Sequence, residues 1–265
     1  MNILEKIIAD KKKEVALKKE LIPVEVLERM PFYNDERVSL KDSLLKENST
    51  GIIAEFKRKS PSKGIINNKA DLTEVVLAYD MDAAGISVLT DEIYFGGTND
   101  DLLLARNIVS VPLLRKDFII DEYQLYEARG IGADVILLIA ANLTRQEVKS
   151  LASKAKQLDL EVLLEIHNEE ELEHICNEVD FVGVNNRNLK TFEVDINTSL
   201  QLFPHIPKDK LAIAESGISN TDTIVTLKQA GFKGFLIGEN FMKQPDPTIA
   251  FADFVTELKA KQHAH

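Results

Sequence analysis

Charged and amide side chains in this chain fall two positions after apolar ones, at the ends of short hydrophobic runs. Glu55 and Lys57 follow Ile53, Lys116 follows Leu114, Glu165 follows Leu163, Glu215 follows Ile213, and Asn185 and Arg187 close a further run. Residues i and i+2 of a β-strand share a face, so each polar group points where its apolar predecessor points, toward a core. Burying a lone charge is expensive, and a collection of them makes sense when they neutralise one another or a ligand. Carboxylates beside ammonium groups can take and give protons, which is general acid–base catalysis. The plainer alternative is a ring of structural salt bridges. Two later segments, Ala214-Glu215-Ser216-Gly217 and Ile237-Gly238-Glu239-Asn240, put small residues just after apolar runs. Their freed backbone amides suit a phosphate group, although each glycine also suits a simple turn.

The elements that must hold these groups follow from the pattern. Strand candidates are Ile52 to Phe56, Ile86 to Leu89, Pro112 to Arg115, Asp134 to Ile139, Glu161 to Glu165, Phe181 to Val184, Leu211 to Ala214 and Gly234 to Ile237. Helix-period segments lie between them, among them Asp71 to Ala84, Asp121 to Arg129 and Thr144 to Leu158, each opening on a capping residue. Eight strands alternating with helices predict an α/β fold, a (β/α)8 TIM barrel. Residues 1–48 read as an N-terminal helical extension, and 1–265 as a single domain. A doubly wound open sheet is the rival architecture. Gly130-Ile131-Gly132 lends it little, because those glycines precede a strand instead of following one. At the carboxyl face of a barrel, charges from several strands read as catalytic.

Composition narrows the partners. The chain has 265 residues, 43 acidic and 32 basic, for a formal net charge of -11. That charge excludes a general nucleic-acid surface and requires any anion site to be local. No apolar run approaches the roughly 18 residues needed to span a bilayer, and the N-terminal apolar residues are interleaved with charge instead of forming a leader. Lys11, Lys12, Lys13, Lys18 and Lys19 read as the solvated face of an amphipathic first helix. One cysteine, Cys176, reads as a small buried side chain and points to a reducing cytoplasm. Five histidines, His167, His174, His205, His263 and His265, lack ligand spacing, so no metal site is expected.

The run Ile53-Ala54-Glu55-Phe56-Lys57-Arg58-Lys59-Ser60-Pro61-Ser62 resembles the signature of the indole-3-glycerol-phosphate synthases. Four further segments resemble that family in the same order: Ser87 to Glu92 with Phe95-Gly96-Gly97, Leu114-Arg115-Lys116-Asp117-Phe118, Gly183 to Leu189, and Ala214 to Ile218. The likeness runs from about residue 3 to 255 and leaves out the tail Gln262-His263-Ala264-His265. It implies that Glu55, Lys57, Lys116, Glu165, Asn185, Arg187, Glu215 and Ser216 line an active site, and that the first helix crosses the barrel mouth.

The family's reaction closes, decarboxylates and dehydrates an anilino-ribulose phosphate in tryptophan biosynthesis, with no cofactor. The resemblance therefore implies a phosphorylated small-molecule substrate. Lys116 is expected as general acid in ring closure, Glu165 as base and Lys57 as acid in dehydration, with Glu55 and Glu215 orienting the lysines. Glu55 and Glu165 can exchange roles on this reading. Phosphate is assigned to Lys57, Ser216, Gly217, Gly238 and Glu239. The aromatic ring is assigned to Phe95, Phe118 and Leu138, which serve equally as core residues. Gly96 and Gly97 permit either loop closure or a plain turn. Rival readings are a lysine Schiff-base aldolase and a noncatalytic phosphosugar-binding barrel. The expected assembly is a monomer or weak homodimer.

Overall fold

The computed structural model describes residues 2–263, so Ala264 and His265 of the tail lie outside the described residues. Eight parallel strands close on themselves: β1 (Ile52–Phe56), β2 (Gly85–Leu89), β3 (Leu113–Lys116), β4 (Val135–Ile139), β5 (Glu161–Ile166), β6 (Phe181–Asn185), β7 (Leu211–Glu215) and β8 (Gly234–Ile237). Each pairs with its sequence neighbour, and β1 pairs with β8, which rules out the open sheet. Two cores follow from strand parity. Ile52, Ala54 and Phe56 face the helices, whereas Ile53, Leu114, Leu137, Leu163, Ile213 and Leu236 fill the barrel interior. Leu40, Leu44 and Ala84 join the interior cluster.

Several strands run one residue further than the apolar pattern suggests, because their last ladder residue is the polar one: Lys116, Asn185 and Glu215. The helix expected over Asp71 to Ala84 covers Leu72–Asp80 with Asp71 as cap. The helix expected from Thr144 covers Arg145–Gln157, and Thr144 and Glu147 form a reciprocal capping box. The helix expected from Asp121 begins at Tyr123. Asp121 still takes the Tyr123 amide at 2.9 Å, a cap displaced by one position.

The extension opens with α1 (Ile3–Leu21), capped by Asn2 and Glu5. Its lysines do not form a solvated face throughout. Lys11 is 2% exposed, and its Nζ sits 3.0 Å from both Asp91 and Asp117 and 2.8 Å from Glu14. Lys18 reaches Glu127 at 3.1 Å and Lys19 reaches Asp121 at 2.9 Å. Three of the five lysines thus tie α1 to the barrel. Periodicity pointed the apolar stripe inward correctly, but a buried cation has no periodic signal of its own.

Candidate active site

A cavity of about 550 Å³ opens at the carboxyl ends of the strands. Its floor is the apolar interior, represented by Leu137, Ile139 and Leu236, and its next layer is charged. Glu55, Lys57, Lys116, Glu165, Asn185, Arg187 and Glu215 line it, as the i, i+2 reading requires, and Ser216, Gly217, Gly238 and Glu239 of the two small-residue segments line it as well. Phe95 and Phe118 line it too, their ring centroids 5.9 Å apart.

Leu138 does not belong there. It lies fully buried among the residues that face the helices, and its neighbour Leu137 takes the inward position. The run Val135–Ile139 is apolar at every residue, so it carries no alternation from which to choose a face.

Lys116 is the hub of the charged layer. Its Nζ lies 3.0 Å from Glu165 Oε2 and 3.0 Å from Glu215 Oε2, and donates to both. Burial disfavours the ammonium, but the surrounding Glu165, Glu215 and Glu55 outweigh it and raise its pKa above the ordinary lysine value. Burial likewise disfavours ionised Glu165, yet Lys116 and His167 hold its carboxyl well below the usual range. Glu215 goes the other way. Burial and the repulsion of Glu165 raise it against the pull of Lys116. On the other side of the mouth, Lys57 Nζ stands 2.7 Å from Glu55 Oε1, and Ser87 donates to Glu55 Oε2 at 3.3 Å.

Two glycines make room for the carboxylates. A Cβ on Gly183 would stand 2.2 Å from Glu215 Oε1, and one on Gly238 would stand 2.7 Å from Glu55 Oε1. Neighbouring strands therefore supply sockets as well as side chains.

At the corner after β7 and β8, Ser216 and Gly217 both adopt positive φ, 65° and 77°. Arg187 borders it, held by Glu239 at 3.3 Å, while its own amide donates to Asn185 at 3.0 Å. The side chain of Glu239 thus orients an arginine, a use distinct from the backbone amide considered above. Of the Lys57-Arg58-Lys59 run only Lys57 enters the cavity. Arg58 binds Asp101 and the Gly96 carbonyl, and Lys59 donates to the Ile93 carbonyl at 2.6 Å, fixing the loop after β2. Gly96 ends the short helix Glu92–Phe95 at φ 67°, the geometry of a plain turn.

As the resemblance implied, α1 reaches the mouth, where its Ile3, Leu4 and Ile7 line the cavity. Sequence reasoning missed Lys63 and Lys243, which add cations, and Phe192 and Val194 from the loop after β6. Buried Asn186, passed over between Asn185 and Arg187, donates to the Glu215 carbonyl at 3.0 Å and accepts from Ser199. His167, which lacks metal-ligand spacing, meets Glu165 instead, and its place two residues after that carboxylate is the signal in the sequence. No group of three His, Cys, Asp or Glu side chains among the described residues could hold a metal ion.

A family model described as indole-3-glycerol phosphate synthase matches residues 4–254. The indole-3-glycerol phosphate synthase of Bacteroides thetaiotaomicron is 48% identical, over 97% of this chain and 99% of that protein. Those of Aliarcobacter butzleri and Caldanaerobacter subterraneus subsp. tengcongensis are 46% and 44% identical, again over 97% of this chain and nearly all of theirs. In three dimensions, a tryptophan synthase alpha-subunit from Pyrococcus furiosus superposes with a TM-score of 0.61, covering 80% of this chain and 98% of that one. At 16% identity that likeness speaks for the barrel fold alone.

Proposed function

The chain belongs to the indole-3-glycerol phosphate synthase family, and on that premise we propose how its mouth cavity converts 1-(2-carboxyphenylamino)-1-deoxyribulose 5-phosphate to indole-3-glycerol phosphate, carbon dioxide and water. The observation that carries the proposal is Lys116 held between Glu165 and Glu215 at 3.0 Å from each.

Ring closure sends the ring carbon that bears the carboxylate onto the ketone, and negative charge develops on the ketone oxygen. An alkoxide is more basic than any amine, so an ammonium stabilised by carboxylates still protonates it; Lys116 supplies that proton. Loss of carbon dioxide restores the aromatic ring. The new hydroxyl then leaves as water with a proton from Lys57, and Glu165 takes the proton released as the indole forms. Two protons given and one taken match a reaction that consumes one overall. The order has a physical basis. Lys116 holds Glu165 acidic, and once Lys116 has lost its proton Glu165 becomes a stronger base, so the first step prepares the last.

Phosphate fits the corner of Ser216, Gly217, Gly238 and Glu239 with Lys57 and Arg187 beside it, and the aromatic ring fits Phe95, Phe118 and the apolar residues of α1. The aldolase reading loses ground, because a Schiff base needs a neutral amine and Lys116 is held charged. No helix among the described residues is long and apolar enough to cross a membrane. A cytoplasmic site of action belongs to the proposal, in keeping with the single cysteine.

The test is a single-turnover experiment that follows carbon dioxide and indole fluorescence together. The full chain should release both from the synthetic substrate. Lys116→Ala should slow both by about 10²- to 10⁴-fold, while Glu165→Gln should release carbon dioxide ahead of indole. No indole from the full chain would favour the noncatalytic barrel; equal delay of both products in Glu165→Gln would move Glu165 into ring closure.

A further inference from the structure

His167 lies two residues beyond Glu165, just past the end of β5, and unlike Glu165 it does not line the cavity. Its ring is 9% exposed and stands between two carboxylates: Nε2 is 3.1 Å from Glu165 Oε1, and Nδ1 is 3.1 Å from Glu171 Oε2. Glu171 is itself fixed. Its carboxylate also takes the His167 amide at 2.7 Å, its other oxygen accepts from Asn168 at 3.1 Å, and its own amide is capped by the Asn168 side chain at 3.1 Å. Toward Glu165 the contact is an ion pair at 3.1 Å, so what His167 brings there is charge.

Three strands face the same carboxylate. Lys116 of β3 approaches Glu165 Oε2, Asn185 of β6 donates to Oε1 at 3.2 Å, and Glu215 of β7 shares Lys116. Glu55 of β1 adds a further negative charge to the lysine's surroundings. When Lys116 gives up its proton, Glu165 loses its main counter-charge while the negative charge of Glu55 remains. An unsupported carboxylate in that setting would draw a proton from water before the substrate released its own. We propose that His167, held by Glu171, is a positioning residue that supplies the lasting positive charge keeping Glu165 ionised between ring closure and dehydration. Burial disfavours the imidazolium, but the contacts with Glu165 and Glu171 raise its pKa to about 10, so the charge persists across the neutral range.

The inference rests on Glu165 as the dehydration base, and its test has one arm that does not. In the full chain labelled with ¹⁵N-histidine, the resonance absent from His167→Gln should be imidazolium at pH 8, and Glu171→Gln should lower its titration by about one unit or more. Glu171→Gln gives the same assignment should His167→Gln fail to fold. In single turnovers His167→Gln should release carbon dioxide ahead of indole, with indole slowed at least about tenfold, as Glu165→Gln does more severely. A merely structural histidine would slow both products together. A neutral His167 ring at pH 7, or carbon dioxide and indole released in step by His167→Gln while Glu165→Gln separates them, overturns the proposal. Failure of Glu165→Gln to separate them overturns the base assignment instead.

Discussion

Three carboxylates, Glu55, Glu165 and Glu215, stand beside two ammonium groups, Lys57 and Lys116, at the barrel mouth. Of the three, Glu215 is the one whose second oxygen, Oε1, is buried without a hydrogen-bond partner. Burial and Glu165 push it up to about 7. A carboxyl raised on folding binds more protons in the folded than in the unfolded state between its two pKa values. Its ionisation therefore costs stability as pH rises from about 4.5 to about 7. Glu215→Gln, which mimics the neutral form, should be more stable than the parent chain by about 3 kcal/mol at pH 8 and nearly equal to it near pH 4.5. Urea titrations at the two pH values would reveal this, and a difference independent of pH would mean that Glu215 is ionised throughout. Catalysis should fall in the same variant. At this scale the sequence made the position of Glu215 legible through Ile213, but not its proton. Protonation depends on distances between strands far apart in the chain.

At the scale of elements, alternation was enough wherever a strand mixes apolar and polar residues, as β1, β3, β5 and β7 do at their carboxyl ends. It failed in β4, where Leu137 and Leu138 are chemically the same and only closure of the barrel distinguishes them. Gaps between side chains were also invisible. Gly183 reads in sequence as a weak strand residue, whereas in space it is the absence that admits Glu215. Gly183→Ala should push the Glu215 carboxylate away and loosen its contact with Lys116. A displacement near 1 Å in a catalytic group costs on the order of 10²-fold in rate, and overpacking costs about 1 to 3 kcal/mol of stability. Kinetics of Gly183→Ala should therefore show kcat reduced at least about tenfold, with KM changing much less on the proposal that phosphate is held on other loops. Unchanged kcat would mean that the carboxylate finds another position without disturbing Lys116.

Over the whole molecule, a chain of net charge -11 balances basic against acidic side chains around its mouth cavity, and roofs that cavity with a helix that precedes the barrel in sequence. The barrel and the extension were legible as elements. Their attachment was not, because it depends on Lys11 meeting Asp91 and Asp117 from three separate segments. Burial opposes ionisation of Asp117, yet Arg115 and Lys11 lower its pKa to about 2. Arg115 also binds Glu127, which binds Lys18, so the network passes from α1 through β3 and back to α1. We expect α1 to unfold with the barrel as one unit, since removing Lys11 leaves two buried carboxylates without a shared cation. Lys11→Met should cost about 3 to 5 kcal/mol. The penalty should shrink as pH falls toward the low pKa of Asp117, because a protonated Asp117 no longer needs the lysine. The chain contains no tryptophan, so Leu4→Trp places a single fluorophore on α1 at the cavity rim. In urea, its fluorescence and the far-UV circular dichroism of the barrel should share one midpoint, and Lys11→Met in that background should move both together. If the fluorescence transition instead comes first and Lys11→Met shifts it alone, the extension is a separately folding cover, and Lys11 stabilises its docking without stabilising the barrel.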